Sequence, residues 1–304
     1  MTPKVSVVIA AHNHAHFLPD CLGSVKAQTY LDYEVIVIDN GSTDNTREVV
    51  ERLAWDKLRY HYQSDTGSVA GPRNTGGKLA RGEYLAYLDS DDSWYPEKLA
   101  RVMKIFAENP EVDLVTHDLR TVVHGRPGGI LFVGPEKGDA FRSLLLGNCV
   151  LGSATVVKKI AMDEIGGFDG DKGFVHVEDY ETWLRLAARG KKFFFLNETL
   201  GDYRIHKNNL SHDFTTAFNN ELRVVRKHFQ GYVSRYPLDK FLLYRSSLSR
   251  IYLRLSYRHF LYGQLRQGLR TAAMSLLNNP YYATSLSLEM IWRRLIKWIK
   301  KIKN

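Results

Sequence analysis

The sequence predicts an α/β protein whose mostly parallel central sheet carries helices on both faces and is followed by an α-helical extension. Apolar, β-branched runs typical of strands buried on both faces alternate with segments of helical periodicity over the first part of the chain. Helical periodicity then continues over residues 215–304. The charge changes at the same point, because residues 215–304 hold 17 lysines and arginines against 3 acidic residues, whereas residues 1–214 are net acidic.

The first predicted strands follow one another at regular intervals. Residues 4–11 (KVSVVIAA) form the first strand, and apolar residues recur behind it at helical spacing. Further strands are predicted at 34–40, 58–63 and 84–89, with helices after residue 42 and over 69–81, and a helix that opens at Pro96. Ligands of parallel sheets bind beyond the carboxyl ends of the strands, where Asp39 and Asp89 are expected.

The second part of the chain has a mixed pattern. Strands are predicted at 113–123, 128–133 and 153–158, a helix over 177–190 and an extended stretch over 191–206. Residues 242–279 are predicted to form an antiparallel helix pair. We therefore expect one domain over 1–214, with halves 1–110 and 111–214, and a basic helical extension over 215–304.

Composition and cysteine usage favour a cytoplasmic globular protein. Hydrophobic residues make up 44% and charged residues 25% of the chain, which is ordinary for a folded protein. No apolar run reaches about 18 residues, so no transmembrane helix is predicted, and the apolar N-terminal stretch is too short for a secretory signal. Cys21 and Cys149 match no metal or redox spacing, and both are expected to be reduced core residues.

Three aspartates follow the fourth predicted strand in the segment YLAYLDSDDSWYP, residues 84–96. Asp89 and Asp91 have the D-x-D spacing, and hard divalent cations such as Mg²⁺ are often bound by one or two carboxylates together with substrate phosphates. The alternative is a solvated acidic turn that caps the helix near Pro96. The usual glycine-rich nucleotide fingerprints are missing, so a nucleotide would have to be held in another way.

Several motifs together resemble the family 2 glycosyltransferases of the GT-A fold, a Rossmann-like architecture. They occur in the family's order and at similar spacing over roughly residues 4–212, about two thirds of the chain. The motifs are VSVVIAAHN, VIVIDNGSTDNT, GPRNTGGKLARGEYLAYLDSDDSWYPEKL, IGGFD, VEDYETWLRLAARG and YRIHKNNLS.

The resemblance implies a nucleotide-sugar donor bound across the first half of the sheet. Asp39 would bind the base or the ribose, and Ala10, His12 and Asn13 would line the same pocket. A carboxylate can accept from a ribose hydroxyl or a base N–H, although Asp39 could instead begin an Asx turn at DNGS. Arg73 would donate to the diphosphate, or it could be an ordinary surface ion pair.

The resemblance also implies a divalent cation, Mn²⁺ or Mg²⁺, shared with the donor diphosphate. Asp91 would be its direct ligand, Asp89 would contact the ribose or the metal shell, and Ser90 would contact the donor. Asp92 would instead orient the neighbouring backbone. His206 matches a position that closes over the donor and ligates the metal, although a lone histidine is more often structural.

The catalytic base is expected at the start of the helix that carries HVEDYETW. The resemblance selects Asp179, with Glu178 supporting the loop, and implies direct displacement with inversion at the anomeric carbon. Acidic residues at helix starts are also favoured by capping and by the macrodipole, so both roles can hold together.

The C-terminal segment 286–303 (LSLEMIWRRLIKWIKKIK) predicts a basic amphipathic helix. Such a helix suits an anionic membrane surface, which would place the protein as a peripheral component on the inner face of the plasma membrane. The alternative is a helix that packs on the body of the protein or on a partner. Nucleic acid is not expected as a partner, since no binding motif accompanies the charge.

We therefore expect an inverting, metal-dependent transfer of sugar from a nucleotide diphosphate sugar, first of all a UDP-sugar, to a hydroxyl of a growing surface polysaccharide or lipid-linked glycan. The competing hypotheses are a sugar nucleotidyltransferase, which normally has a glycine-rich and basic N-terminal loop, and a membrane-associated scaffold that binds nucleotide sugar without turnover. The sequence leaves open the sugar, the nucleotide, the acceptor, the linkage and the oligomeric state.

Overall fold

The computed structural model describes residues 2–134, 139–206, 214–232, 237–281 and 283–284. The chain divides into two compact units. The first contains Met1–Leu144 and Asn148–His212, and the second contains Leu145–Gly147 and Asp213–Asn304.

The described part of the first unit contains nine strands and seven α-helices. The strands are β1 (Val5–Ala11), β2 (Tyr33–Asn40), β3 (Leu58–Gln63), β4 (Tyr84–Asp89), β5 (Ser93–Trp94), β6 (Leu114–Val123), β7 (Arg126–Leu131), β8 (Val156–Lys158) and β9 (Phe193–Ile205). The helices are α1 (Leu18–Lys26), α2 (Thr46–Glu51), α3 (Ala70–Leu79), α4 (Lys98–Glu108), α5 (Ala140–Leu146, which ends in the second unit), α6 (Lys159–Ile165) and α7 (Glu178–Ala188).

The strands form one sheet in the order β3-β2-β1-β4-β8-β6-β9-β5, with β7 paired to β6. The first four strands in this order are parallel to one another. The strand β8 is antiparallel to both of its neighbours, whereas β9 runs parallel to β6. The predicted α/β class is confirmed, and every antiparallel pairing includes a strand of the second half, where the sequence pattern is mixed.

Helices cover both faces of the parallel half of the sheet. Alternate β1 residues, beginning with Val5, share one apolar core with α1 and α4. On the opposite face α3 approaches the sheet so closely that a Cβ at Gly76 would lie 2.3 Å from Val8 Cγ1. Only glycine permits that approach, which explains why this helix carries a residue of low helix propensity.

Some element ends differ from those predicted. The helix α4 begins at Lys98, two residues after Pro96, because the Lys98 N–H donates to the carbonyl of Tyr95 in a turn that precedes the helix. The strand β8 is shorter than predicted because Gly152–Ala154 form a single 3₁₀ turn ahead of it. Cys21 is buried in the core as predicted, whereas Cys149 is only half-buried.

The second unit contains the helices α8 (Phe214–Gly231), α9 (Pro237–Leu261) and α10 (Leu265–Asn278). The predicted antiparallel pair is α9 with α10. Ser249 Oγ lies 3.0 Å from Ser275 Oγ, and Ser256 Oγ donates to the carbonyl of Gly268 at 2.8 Å, so the paired positions converge towards the connecting turn. The predicted amphipathic helix over 286–303 lies outside the described residues. Among those that are described, no helix is both long and apolar enough to cross a membrane.

Candidate active site

The site begins where three parallel strands end at the same level. The register pairs Ala10 of β1 with Asp89 of β4, and Ala11 with Asp39 of β2. Hydrogen bonding between parallel strands therefore brings Asp39 and Asp89 to one edge of the sheet, one strand on each side of β1. The loops that follow these strands supply the polar side chains of the site.

Each aspartate after β4 has a different partner. Asp89 Oδ1 accepts a hydrogen bond of 2.6 Å from Arg73, and Asp91 Oδ2 lies 2.9 Å from His206 Nε2. Asp92 is buried and accepts from the backbone N–H of Arg204 at 2.9 Å and from a serine hydroxyl. Burial, followed by the charges of Asp91 and Asp89, raises the pKa of Asp92 well above its ordinary value.

His14 joins Asp91 and His206 in a group that could hold a metal ion. One ligand atom from each of the three side chains lies within 4.8 Å of the others, and all three side chains are half-buried. Burial lowers the pKa of His14 while the charge of Asp91 opposes that fall, so the imidazole is neutral, the form that ligates metals. Carboxylate and imidazole together suit several divalent cations, so the arrangement fits one. Asp89, also predicted near the metal, is outside this group and pairs with Arg73 instead.

Asp179 lies in the first turn of α7 and has a surrounding unlike that of the β4 aspartates. Its Oδ1 accepts from the Tyr180 N–H at 2.6 Å, and its Oδ2 accepts from Asn148 Nδ2 at 3.3 Å. Burial raises the pKa of Asp179 to about 6, although the charge of Arg73 opposes the rise. A carboxylate with that pKa is ionised at neutral pH and binds a proton more readily than an ordinary aspartate.

Gly152 marks the point where these side chains meet. A Cβ at this position would lie 3.5 Å from an Arg73 guanidinium nitrogen, 3.9 Å from Asp89 Oδ2 and 4.0 Å from Asp179 Oδ2. One cation and two carboxylates thus surround a single position in the loop ahead of β8. Sequence reasoning did not select Gly152, because a lone glycine before a strand carries no signal of its own.

Arg73 is held in place by the IGGFD segment. Its guanidinium lies over the ring of Phe168 at 5.4 Å from the centroid. The neighbouring Asn74 donates to the Phe168 carbonyl and accepts from the Phe168 N–H, both at 2.8 Å. Trp183 is buried with its ring 5.9 Å from that of Phe168. The contact therefore joins two motifs, because Arg73 belongs to GPRNTGG and Phe168, about 95 residues later, belongs to IGGFD.

The residues predicted to bind the donor also tie the loops together. Asp39 accepts from the Ser42 N–H and from the Tyr60 hydroxyl, so it stabilises the loop after β2. The Ser42 bond spans three residues, whereas the Asx turn considered as the alternative role spans two. Asn13 Oδ1 accepts from the backbone N–H groups of Thr43 and Asp44. These bonds join the loop after β1 to the loop after β2, and they leave the donor-binding roles of Asp39 and Asn13 as predictions.

The remaining predicted donor contacts lie nearby. Ala10 is half-buried at the end of β1, and His12 is exposed with its Nδ1 2.8 Å from the Asn40 carbonyl. Ser90 is buried, and its hydroxyl lies 2.8 Å from His14 Nδ1. Glu178 is buried and accepts from the Val69 N–H at 3.3 Å, which is the loop-supporting arrangement that was expected of it.

The comparisons with known proteins agree with this architecture. The sequence profile of Glycosyl transferase family 2 matches residues 6–134, and that of Glycosyl transferase family group 2 matches residues 137–296. An Escherichia coli relative, UDP-Glc:alpha-D-GlcNAc-diphosphoundecaprenol beta-1,3-glucosyltransferase WfgD, is 32% identical over 182 residues, which are 60% of this chain and 69% of the relative.

Two solved structures share the fold. The S. aureus TarS 1–349 complex with UDP-GlcNAc has a TM-score of 0.66 at 17% identity and covers 93% of this chain and 83% of its own. The mannosyltransferase PcManGT from Pyrobaculum calidifontis, in complex with GDP-Man and Mn²⁺, has a TM-score of 0.62 at 20% identity. The match covers 95% of this chain and 81% of the PcManGT chain. The resemblance read from the motifs is confirmed, and the chain belongs to the family 2 glycosyltransferases of the GT-A fold.

Proposed function

We propose that this glycosyltransferase is inverting and metal-dependent, and that it moves a sugar from a nucleotide diphosphate sugar to a hydroxyl of a growing surface polysaccharide or lipid-linked glycan. The observation that carries the proposal is the set of three side chains around Gly152. Arg73, Asp89 and Asp179 all lie within 4.0 Å of one point there, and Asp179 has a pKa of about 6.

Asp179 is the base in this proposal. The acceptor hydroxyl gives its proton to an Asp179 carboxylate oxygen while the hydroxyl oxygen attacks the anomeric carbon and the bond to the diphosphate breaks. Attack from the side opposite the leaving group inverts the anomeric configuration, and no covalent glycosyl intermediate is required. Asp179 is not one of the three side chains of the metal-capable group, so its carboxylate oxygens are left to accept the proton.

The leaving diphosphate requires positive charge, and two features of this chain would supply it. Arg73 is an obligate cation already positioned by Phe168 and Asp89. Asp91 and His206 would hold a divalent cation, which when bound would stabilise negative charge on the departing diphosphate. Asp89 then serves first to orient Arg73, and contact with the ribose or the metal shell is its second role.

The donor and the acceptor are proposed from the chemistry of relatives. WfgD is named for a UDP-glucose donor and a lipid diphosphate acceptor, and TarS binds UDP-GlcNAc, whereas PcManGT binds GDP-mannose. A UDP-sugar is therefore the first donor to test, with a GDP-sugar as the alternative. For a lipid-linked acceptor, the basic segment 286–303 would bring the enzyme to the inner face of the plasma membrane as a peripheral protein.

A ligand screen followed by turnover assays tests the proposal. A nucleotide sugar that binds the native protein raises its melting temperature, and the shift is expected to be larger with Mn²⁺ or Mg²⁺ than with EDTA. Donor turnover in the presence of the cation should then be lost in Asp91→Ala and Asp179→Asn. A sugar nucleotidyltransferase would instead release pyrophosphate from a nucleoside triphosphate and a sugar phosphate. A scaffold would show the melting shift without any turnover.

A further inference from the structure

Three histidines follow β1 in the segment His12-Asn13-His14-Ala15-His16, and the structure gives each a different environment. His12 is exposed and lies against the Asn40 carbonyl. His16 is exposed. His14 is half-buried, and its ring centroid lies 5.9 Å from that of His206. Only the middle histidine of the three belongs to the group with Asp91 and His206 among the residues that the structure describes.

The His14 ring is oriented by its neighbours. Ser90 Oγ lies 2.8 Å from His14 Nδ1, and Ser90 is buried between the aspartates of the D-x-D segment. When Nδ1–H donates to that hydroxyl, Nε2 is left with a free lone pair and can ligate a metal. This is the usual arrangement of metal-bound histidine. Phe17 packs against both imidazoles, with centroid distances of 5.4 Å to His14 and 4.6 Å to His206.

We propose that His14 is a third protein ligand of the donor-bound cation, forming a His-Asp-His set with Asp91 and His206, and that it selects Mn²⁺ over Mg²⁺. This inference rests on the proposed function, since the same cation is involved. The three ligand atoms lie within 4.8 Å of one another, so small side-chain movements would bring them to one ion.

The metal preference follows from the ligand chemistry. Mg²⁺ prefers oxygen ligands in near-ideal octahedral geometry and gives up water reluctantly. Imidazole nitrogen binds more strongly to the later, softer divalent ions, and Mn²⁺ accepts a mixture of nitrogen and oxygen ligands. A site with one imidazole would bind both ions through oxygen for the most part. A second imidazole replaces an oxygen or a water position and therefore penalises Mg²⁺ more than Mn²⁺.

Nitrogen couplings of bound Mn²⁺ provide a direct test without any turnover. The full chain is loaded with Mn²⁺ and UDP, and pulsed electron paramagnetic resonance records the coupled imidazole nitrogens. Wild type is expected to show two coupled imidazoles and His14→Ala one. His16→Ala, which removes an exposed imidazole from the same loop, is the matched control and should show two. A single imidazole in wild type would overturn the inference, and that result does not depend on whether a variant folds.

Calorimetric titration of each ion in the presence of UDP tests the selectivity. In His14→Ala the Kd for Mn²⁺ is expected to rise about tenfold or more, whereas the Kd for Mg²⁺ should change less than about threefold. Equal changes for the two ions would overturn the selectivity. Wild-type protein that binds UDP but no Mn²⁺ would sink both this inference and the metal dependence proposed above. Wild-type protein that binds Mn²⁺ through one imidazole would sink this inference alone.

Discussion

The aspartates after β4 and the acidic residues at the start of α7 contribute the same functional group to one site, yet their surroundings differ. Asp89 faces the Arg73 guanidinium and Asp91 faces the His206 imidazole, so each has a nitrogen-bearing side chain as its partner. Asp179 accepts from a backbone N–H and from an amide, and its pKa rises to about 6. The comparison teaches that the partner, and not the residue type, distinguishes the carboxylates proposed to lie at the cation from the one proposed to accept a proton.

Replacing Asp179 should produce the largest effect. Asp179→Asn is expected to lower the rate of sugar transfer by about 10³-fold, since it removes the proposed general base, while the Kd of the donor with Mn²⁺ changes little. The raised pKa means that ionised Asp179 costs folding free energy above pH 6, so the variant should melt no lower than wild type at pH 8. Asp163→Asn, at an exposed position of α6, is a matched control. Full activity in Asp179→Asn would show that the base lies elsewhere.

Replacing Asp91 should impair metal binding, which the Asp179 substitution should leave intact. Asp91→Ala is expected to weaken Mn²⁺ binding strongly and to reduce transfer by roughly 10²-fold or more, because charge on the leaving diphosphate is less well stabilised. The pH dependence of the residual activity should still follow Asp179. Metal titration of transfer, compared with the Asp179→Asn variant, separates the two roles. Normal Mn²⁺ affinity in Asp91→Ala would contradict the assignment of the cation to this aspartate.

The acid limb of the pH profile should come next in size. Below a pKa of about 6 the Asp179 carboxyl is protonated and cannot accept the acceptor's proton. The rate should therefore fall about tenfold for each pH unit below that value and level off above it. Transfer measured from pH 4.5 to 8 at saturating cation, with melting temperatures to confirm folding at each pH, checks the expectation. A limb centred near pH 4 would mean that burial does not raise this pKa.

The smallest effect is expected at Gly152, the point shared by the two kinds of carboxylate. The added methyl of Gly152→Ala would lie 3.5 to 4.0 Å from three site atoms, which is ordinary van der Waals contact. The change in rate should therefore stay within about threefold. Gly152→Leu, whose longer side chain must enter the same space, should lose far more activity at similar stability. Equal rates for the alanine and leucine variants would show that neither donor nor acceptor uses this position.

The sequence was most informative for residues whose place in a strand or helix follows from the apolar periodicity alone. Strand ends follow from the apolar runs, so Asp39 and Asp89 could be placed at one edge of the sheet, and the register of β1, β2 and β4 confirms that placement. Asp179 could be assigned to the first turn of a helix for the same reason, and α7 begins at Glu178. These inferences require only local patterns and the geometry of parallel sheets.

Contacts between distant loops could not be predicted in the same way. The sequence offers three histidines after β1, and no local pattern distinguishes His14 from its two neighbours. Its proximity to Asp91 and His206 depends on how loops far apart in the chain fold over the sheet edge. The pairing of Asp89 with Arg73 likewise depends on how α3 packs on the sheet, and Gly76 permits a close approach there.

The strands β1, β2 and β4 end at the same level, and this arrangement has a consequence for how donor preference could change. Asp39 and Asp89 leave the sheet on either side of β1, so two strand spacings, about 10 Å, separate their strands. The backbone sets that interval, so in the proposed donor complex it would fix the distance between the base or ribose at Asp39 and the part of the donor that lies at Asp89. Substitutions in the surrounding loops could alter which base or sugar is accepted, but they would not change the spacing between β2 and β4.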